Sequence, residues 1–271
     1  MSATVAEIAG WLDGRYPPGL AEDWDQVGLS VGEPDAAVST VLLSVDVTDA
    51  VVAEAMTLGA ELIVSHHPLL LRGVHGVRGD DPKGRVVTAL IRAGIAVYTA
   101  HTNADAAPGG VADCLADVLG LVERRPLVAA PAGGGLGRIG RLPEPRPARA
   151  VARALAAGVP ATAGGVKLGG DPERLVSSVA VLGGAGDSML DDARAAGVDC
   201  YVTGDLRHHP AQDFLAHADA PVLIDVPHWA AEWTWLPAAE AFLQAAASER
   251  GVPLTTHVST LNTDPWALRL P

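Results

Sequence analysis

The sequence predicts an α/β fold: two similar α/β halves with mostly parallel strands and a site where the halves face each other. Three observations predict it. Short, β-branched apolar runs alternate with helix-periodic stretches, the rhythm of strand–helix units. A Gly-, Pro- and Arg-rich break interrupts that rhythm at 124–149. Finally, "LGAELIVSHHPLLLRG" (58–73) is echoed by "AGVDCYVTGDLRHHPAQD" (196–213). Each runs from a helix end through Gly and a buried strand into a polar loop.

Taken in order, Val5, Ile8, Ala9 and Leu12 fall at helical spacing. "VLLSVDV" (41–47) reads as a buried strand, and Thr48 or Asp49 can cap the helix of "DAVVAEAMTLGA". "ELIVSH" (61–66) is a second strand, "GRVVTALIRAG" (84–94) a helix, "IAVYTAH" (95–101) a third strand and "GGVADCLADVLG" (109–120) a helix. This makes a first half of 1–123. Residues 124–137 form a linker, and a second half of 138–271 opens with a short strand near 137–142. There the rhythm gives helices at 148–157, 187–196, 210–217 and 229–249. The strands fall at 161–168, 175–182, 198–203, 221–226 and 252–260.

With 271 residues, 49% of them hydrophobic, the chain can fill a sizeable core. A formal net charge of −13 argues against a general nucleic-acid or anionic-membrane binder, which needs a basic surface. Cys114 and Cys200 are the only cysteines and form no C-x-x-C pair, so both read as buried thiols. "MSATVAEIAGWLDG" lacks the basic start of a secretory signal, and no stretch has the apolar length of a membrane span. A cytoplasmic protein is expected.

Ligand-type residues recur just beyond the expected strand ends. They are His66 and His67; His101, Asn103 and Asp105; Asp205, His208 and His209; and His228 with Glu232. In open α/β sheets ligands bind at the carboxyl edge of the strands, so four loops delivering such groups there outweigh any one alone. Pro68 holds His67 in extended geometry. With the strand ending at His66, the two imidazoles can diverge, which suits two neighbouring ions better than one.

His228 and Glu232, at i and i+4, share one helix face, and a carboxylate can serve two ions. Asp105 sits in a Pro- and Gly-rich loop, where Asp is commonly a turn residue. His101 could bind metal, act as a general acid/base or anchor its loop. Imidazole and carboxylate without thiolate suit zinc, iron, manganese, cobalt or nickel. A pair of such ions would support hydrolysis. "GGAGDS" (183–188) is either a plain turn or an anion cradle at a helix start. His75, His217 and His257 read as structural.

"WDQVGL" (24–29), "SHHPLL" (65–70), "HTNADAAPGG" (101–110), "TGDLRHH" (203–209) and "DVPHWAAE" (225–232) occur in order along the chain. Together they resemble the Nif-three-like dinuclear-metal proteins, also described as GTP cyclohydrolase I type 2 homologues. The resemblance implies two α/β halves around two divalent ions per chain and a homohexamer built as a trimer of dimers. It implies metal ligands His66, His67, Asp105, His228 and Glu232. Glu232 would bridge the ions, with His67 and Asp105 on one and His66 and His228 on the other.

His101, Asp25 and His209 fall on positions lining the family's cleft and are the acid/base candidates. The implied reaction is metal-assisted opening of the GTP imidazole ring at C8; a metal-binding ring scaffold without turnover is the alternative. Basic partners for a triphosphate are few, with Arg72, Arg78, Lys83 and Arg207 nearest the motifs. Two departures stand out. Pro227 replaces the family's usual Gly before the late histidine, and the linker is too short for the domain some members insert there.

Overall fold

A computed structural model describes residues 2–130 and 133–270. The chain forms two compact units. One comprises the residues up to Ala104 together with Leu236–Thr263; the other comprises Asp105–Trp235 and the residues from Asp264 onward.

The first unit is built on a five-stranded sheet in the order Thr255–Val258, Thr40–Ser44, Leu62–Ser65, Ala96–Thr99, Gly28–Val31. The first four strands are parallel and the last is antiparallel. Leu42, Ile63 and Val97 on one sheet face pack with Val51, Val52, Ala55, Val86, Val87 and Leu90 from two helices. Fully burying each such side chain is worth about 1.5–3 kcal/mol, so the apolar face decides where these helices lie.

Local signals set their ends. Thr48 accepts from the Val51 amide at the start of Asp49–Leu58, and Gly59 closes that helix in the left-handed region. Thr4 and Glu7 form a capping box on Val5–Arg15, whose Val5, Ile8 and Leu12 are buried as the spacing requires.

The second unit is built on a six-stranded sheet. Its order is Lys167–Gly169, Val222–Asp225, Cys200–Gly204, Leu175–Ala185, Arg138–Pro147, Val122–Arg125. The three strands Val222–Asp225, Cys200–Gly204 and Leu175–Ala185 are parallel, and the flanking ones are antiparallel. Alternate residues feed two separate cores: Val179, Val181, Cys200 and Val202 one, Ala180, Leu182, Tyr201 and Leu223 the other. Burial on both faces explains why these strands read as continuous apolar runs. Both cysteines are buried thiols. Among the described residues, no helix is long and apolar enough to cross a membrane.

Several expected boundaries move. The segment expected as a linker at 124–137 belongs to the second unit, where Val122–Arg125, Val128–Ala129 and Gly135–Leu136 are paired strands. Pro131 and Ala132 lie outside the described residues. The first segment of the first unit ends at Ala104 rather than 123, and Leu236–Thr263 returns to that unit.

The final strand, Thr255–Val258, pairs with Thr40–Ser44, which takes it out of the expected second half. The helix expected over 229–249 is two, His228–Trp233 and Leu236–Glu249. Pro237 has no N–H for an i→i−4 bond and fits only a first turn, so the helix restarts there. Of the expected 161–168 strand only Lys167 and Leu168 are paired, in the strand Lys167–Gly169, which starts six residues late. The strand near 137–142 extends to Pro147 through an irregularity between Arg141 and Arg146, where Pro143 and Pro145 offer no ladder donor.

Candidate metal centre

Strand Leu62–Ser65 stops one residue before the histidine pair. The His66 and His67 amides still donate to the Ser44 and Val45 carbonyls, at 3.1 and 2.8 Å, which fixes the backbone at the sheet's carboxyl edge. His66 is fully buried and donates from Nδ1 to the Ala100 carbonyl at 2.9 Å. His67 donates from Nδ1 to Asp46 Oδ1 at 2.8 Å. Thr263 donates in turn to the other Asp46 oxygen at 2.5 Å. His101, past the end of Ala96–Thr99, donates from Nδ1 to Asp25 Oδ1 at 2.8 Å.

In each neutral ring the proton is thereby held at Nδ1 and the lone pair lies at Nε2, the tautomer in which an imidazole ligates a metal. The three rings are mutual neighbours, with centroids 5.2–5.5 Å apart, and one ligand atom from each lies within 4.8 Å of the others. Groups of His and Glu residues in this chain could hold a metal ion.

Asp25 is 9% exposed. Burial alone would raise its carboxyl pKa. His101, the Thr102 hydroxyl at 2.5 Å and the Thr102 amide at 3.0 Å outweigh that and hold it well below the usual carboxylate range. Asp25 is therefore an anion that orients His101. The 58%-exposed Trp24 indole stands edge-on to the His101 ring at 5.9 Å. Asn103 is the loop hydrogen-bonder its sequence position implies, accepting from the His101 amide and donating to the Tyr16 carbonyl.

The second unit carries a different cluster. His228 opens the helix His228–Trp233, and its Nε2 lies 3.0 Å from Glu232 Oε1, one turn on. His228 Nδ1 donates to Asp205 Oδ2 at 2.8 Å. Burial pushes the imidazole pKa down, but the Glu232 carboxylate and the Asp205 contact outweigh it and carry it up to about 11. Two carboxylates thus hold one imidazole as a cation. Asp205 does this from a left-handed backbone, φ 54°, a conformation Asp tolerates better than most residues. Pro227, at φ −55°, precedes the helix and accepts from the Ala231 amide through its carbonyl, so its missing N–H costs the helix nothing.

Close approach explains the glycine pair in "VLGGAGDS". It lies within the strand Leu175–Ala185, and the rest of the motif leads into the short helical turn Asp187–Met189, so the glycine pair itself is not the expected turn. Gly184 has φ +69°, and a Cβ there would fall 2.6 Å from Glu232 Oε1. The position admits only glycine while Glu232 stands where it does.

Asp105 lies on a five-residue helix, Thr102–Ala106, rather than in an open loop. The exposed His209 opens a different helix, His208–Leu215, with its ring against His208 at 5.1 Å. Neither Asp105 nor His209 belongs to a group of three ligand atoms within 4.8 Å among the described residues. The supporting carboxylate Asp46 escaped the sequence reading, and Asp205 appeared there only as a strand-end residue. Asp205 follows the strand Cys200–Gly204 directly, and Asp46 stands two residues past the end of Thr40–Ser44.

An α/β chain whose strand ends carry oriented histidines and a buried glutamate is, as a class, one whose His/Glu groups could hold a metal. The chain belongs to the Duf34/NIF3 (NGG1p interacting factor 3) family, whose model matches residues 3–265. It is 48% identical over 266 residues to a GTP cyclohydrolase 1 type 2 homolog of Streptomyces coelicolor, covering 97% of this chain and 93% of that one.

A GTP cyclohydrolase 1 type 2 homolog of Mycobacterium bovis is 37% identical, with 99% of this chain and 98% of that one covered. That alignment runs over 376 positions against 271 residues here, so the mycobacterial protein is the longer form. Among solved structures, a Staphylococcus aureus hypothetical protein superposes with a TM-score of 0.91 at 27% identity, over 99% of this chain and 100% of that one. A Bacillus cereus protein related to NIF3 gives 0.90 at 26%, with 99% of each chain covered.

Proposed function

We propose that this chain is a divalent-metal-dependent hydrolase with a dinuclear centre held by His66, His67, Asp105, His228 and Glu232. The observation that carries the reading is the support behind the histidines. His66, His67 and His228 each donate from Nδ1 to a fixed acceptor, namely the Ala100 carbonyl, Asp46 and Asp205. Metal-ligating histidines are held in this way. The donors also fit the group: nitrogen and oxygen without thiolate suits zinc, iron, manganese, cobalt or nickel. The rise in the His228 pKa marks its surroundings as favouring a cation.

In this reading His67 and Asp105 would hold one ion and His66 and His228 the other, with Glu232 shared between them. Divalent ions bound there supply Lewis acidity and lower the pKa of water. His101, held in one tautomer by the anionic Asp25, accepts or delivers a proton at Nε2. His209 is the further acid/base candidate.

The names of the relatives direct the choice of substrate to GTP, with opening of its imidazole ring as the reaction. A metal-binding scaffold without turnover is the second reading. It is favoured by the pairing of two of the few basic groups near the motifs, Arg78 with Asp80 and Arg207 with Asp187. The proposal includes a homohexamer in the cytoplasm; two cysteines kept as buried thiols suit a reducing compartment.

The test is turnover by metal-loaded protein of GTP and a panel of phosphoesters and cyclic amides, beside Glu232→Gln. Turnover lost in the variant supports the hydrolase. No turnover of any substrate by the metal-loaded wild type overturns it in favour of the scaffold. Light scattering on the purified protein checks the hexamer, and a monomer would refute it.

A further inference from the structure

The segment that reads as a linker leads into a buried arginine whose donors all find acceptors. Arg138 is 4% exposed, and a buried guanidinium is tolerated only when its donors are satisfied. Its Nε donates to Asp113 Oδ2 at 2.9 Å, and Nη1 donates to the Gly135 and Gly137 carbonyls at 2.7 Å each. Its Nη2 donates to the carbonyls of Ala107 at 2.9 Å and Ala106 at 3.4 Å.

The Ala106 carbonyl ends the helix Thr102–Ala106, immediately after Asp105, and that of Ala107 follows it. Carbonyls at a helix end lack partners within the helix, and a cation there is favourable. Gly134, at φ +73°, lies so close that a Cβ would stand 2.5 Å from the Ala106 oxygen. Asp113 also accepts from the Gly109 amide at 2.7 Å, which fixes the chain leaving the helix.

A helix of five residues does not hold itself together, so its geometry comes from what grips it. We infer that Arg138, together with the Gly134 backbone, is a positioning residue that sets the Asp105 carboxylate by clamping the end of its helix. The inference rests on the proposed role of Asp105 as a metal ligand.

The experiment titrates Mn²⁺ and Zn²⁺ into the metal-stripped full chain and counts bound metal by elemental analysis. The variants are Arg138→Lys, Gly134→Ala, Asp105→Ala and Arg124→Lys. The first of these keeps a positive charge beside Asp113 but loses the planar fork that reaches the carbonyls. Arg124 contacts Asp113 and Asp117 without reaching Ala106 or Ala107, so its variant is the control for general loosening.

Arg138→Lys and Gly134→Ala are each expected to weaken one of the two ions by about 10–100-fold, the usual cost of losing an outer support. Arg124→Lys is expected to leave both ions unchanged. Wild-type binding in both clamp variants, while Asp105→Ala loses an ion, overturns the inference alone. Retention of both ions by Asp105→Ala overturns the ligand assignment and the inference with it. An equal loss in Arg124→Lys reduces the effect to stability and also overturns it. Should Arg138→Lys not fold, Gly134→Ala decides.

Discussion

The two units arm themselves differently. In the first, three imidazoles stand together and carboxylates lie behind two of them, Asp46 on His67 Nδ1 and Asp25 on His101 Nδ1, with the Ala100 carbonyl on His66 Nδ1. In the second, a single imidazole lies between two carboxylates, Glu232 on Nε2 and Asp205 on Nδ1. The first cluster therefore offers lone pairs, and the second offers charge. That difference explains why the His228 pKa is carried up to about 11.

The largest effect expected is at Glu232. Glu232→Gln removes a buried charge from the anionic cluster, and metal affinity should fall by more than the roughly 100-fold that loss of an outer partner costs. Metal titration checks it, and wild-type affinity would erase the contrast between the clusters. Next come the supports. Asp205→Asn and Asp46→Asn keep a hydrogen-bond acceptor but lose the charge, so each should weaken metal binding by about 10–100-fold. An effect confined to one of them would show which cluster governs capture.

Gly184→Ala follows, because its Cβ would meet Glu232 and its backbone sits at φ +69°. Strain of that kind costs about 1–3 kcal/mol, read as a lower midpoint in thermal unfolding. The smallest effect concerns Asp199, away from both clusters. Burial raises its pKa, but the Ser178 and Ser177 amides and the Ser178 hydroxyl outweigh that and hold it below its ordinary 3.8. Its contribution is therefore full above pH 3.8 and fades as the pH falls through the lower folded value. Asp199→Asn should cost about 1 kcal/mol at neutral pH, and denaturant melts should show the gap from wild type closing in acid.

What the sequence shows follows from the range of the interactions involved. His66, His67 and His101 announce themselves because buried strands read as apolar runs and these residues stand at their ends. His228 and Glu232 do so because helical spacing is local. Asp46 and Asp205 support their histidines across 21 and 23 residues, a distance no local pattern spans.

The glycines at 183 and 184 look like a turn because nothing nearby in sequence shows the Glu232 side chain pressing on them. The 124–137 stretch looks like a linker because Gly, Pro and Arg carry no periodicity. Its order comes from edge pairing and from Arg138 bonds reaching 25 to 32 residues back. Alternating strands and helices revealed the parallel centres of both sheets. The antiparallel edges, including Gly28–Val31, rest on pairings with distant strands.

The most direct test counts metal. Elemental analysis of the purified full chain should find close to two divalent ions per chain, falling almost to none in the His66→Ala/His67→Ala double variant. A full metal complement in that double variant would contradict the assignment of the first unit's histidines to the centre.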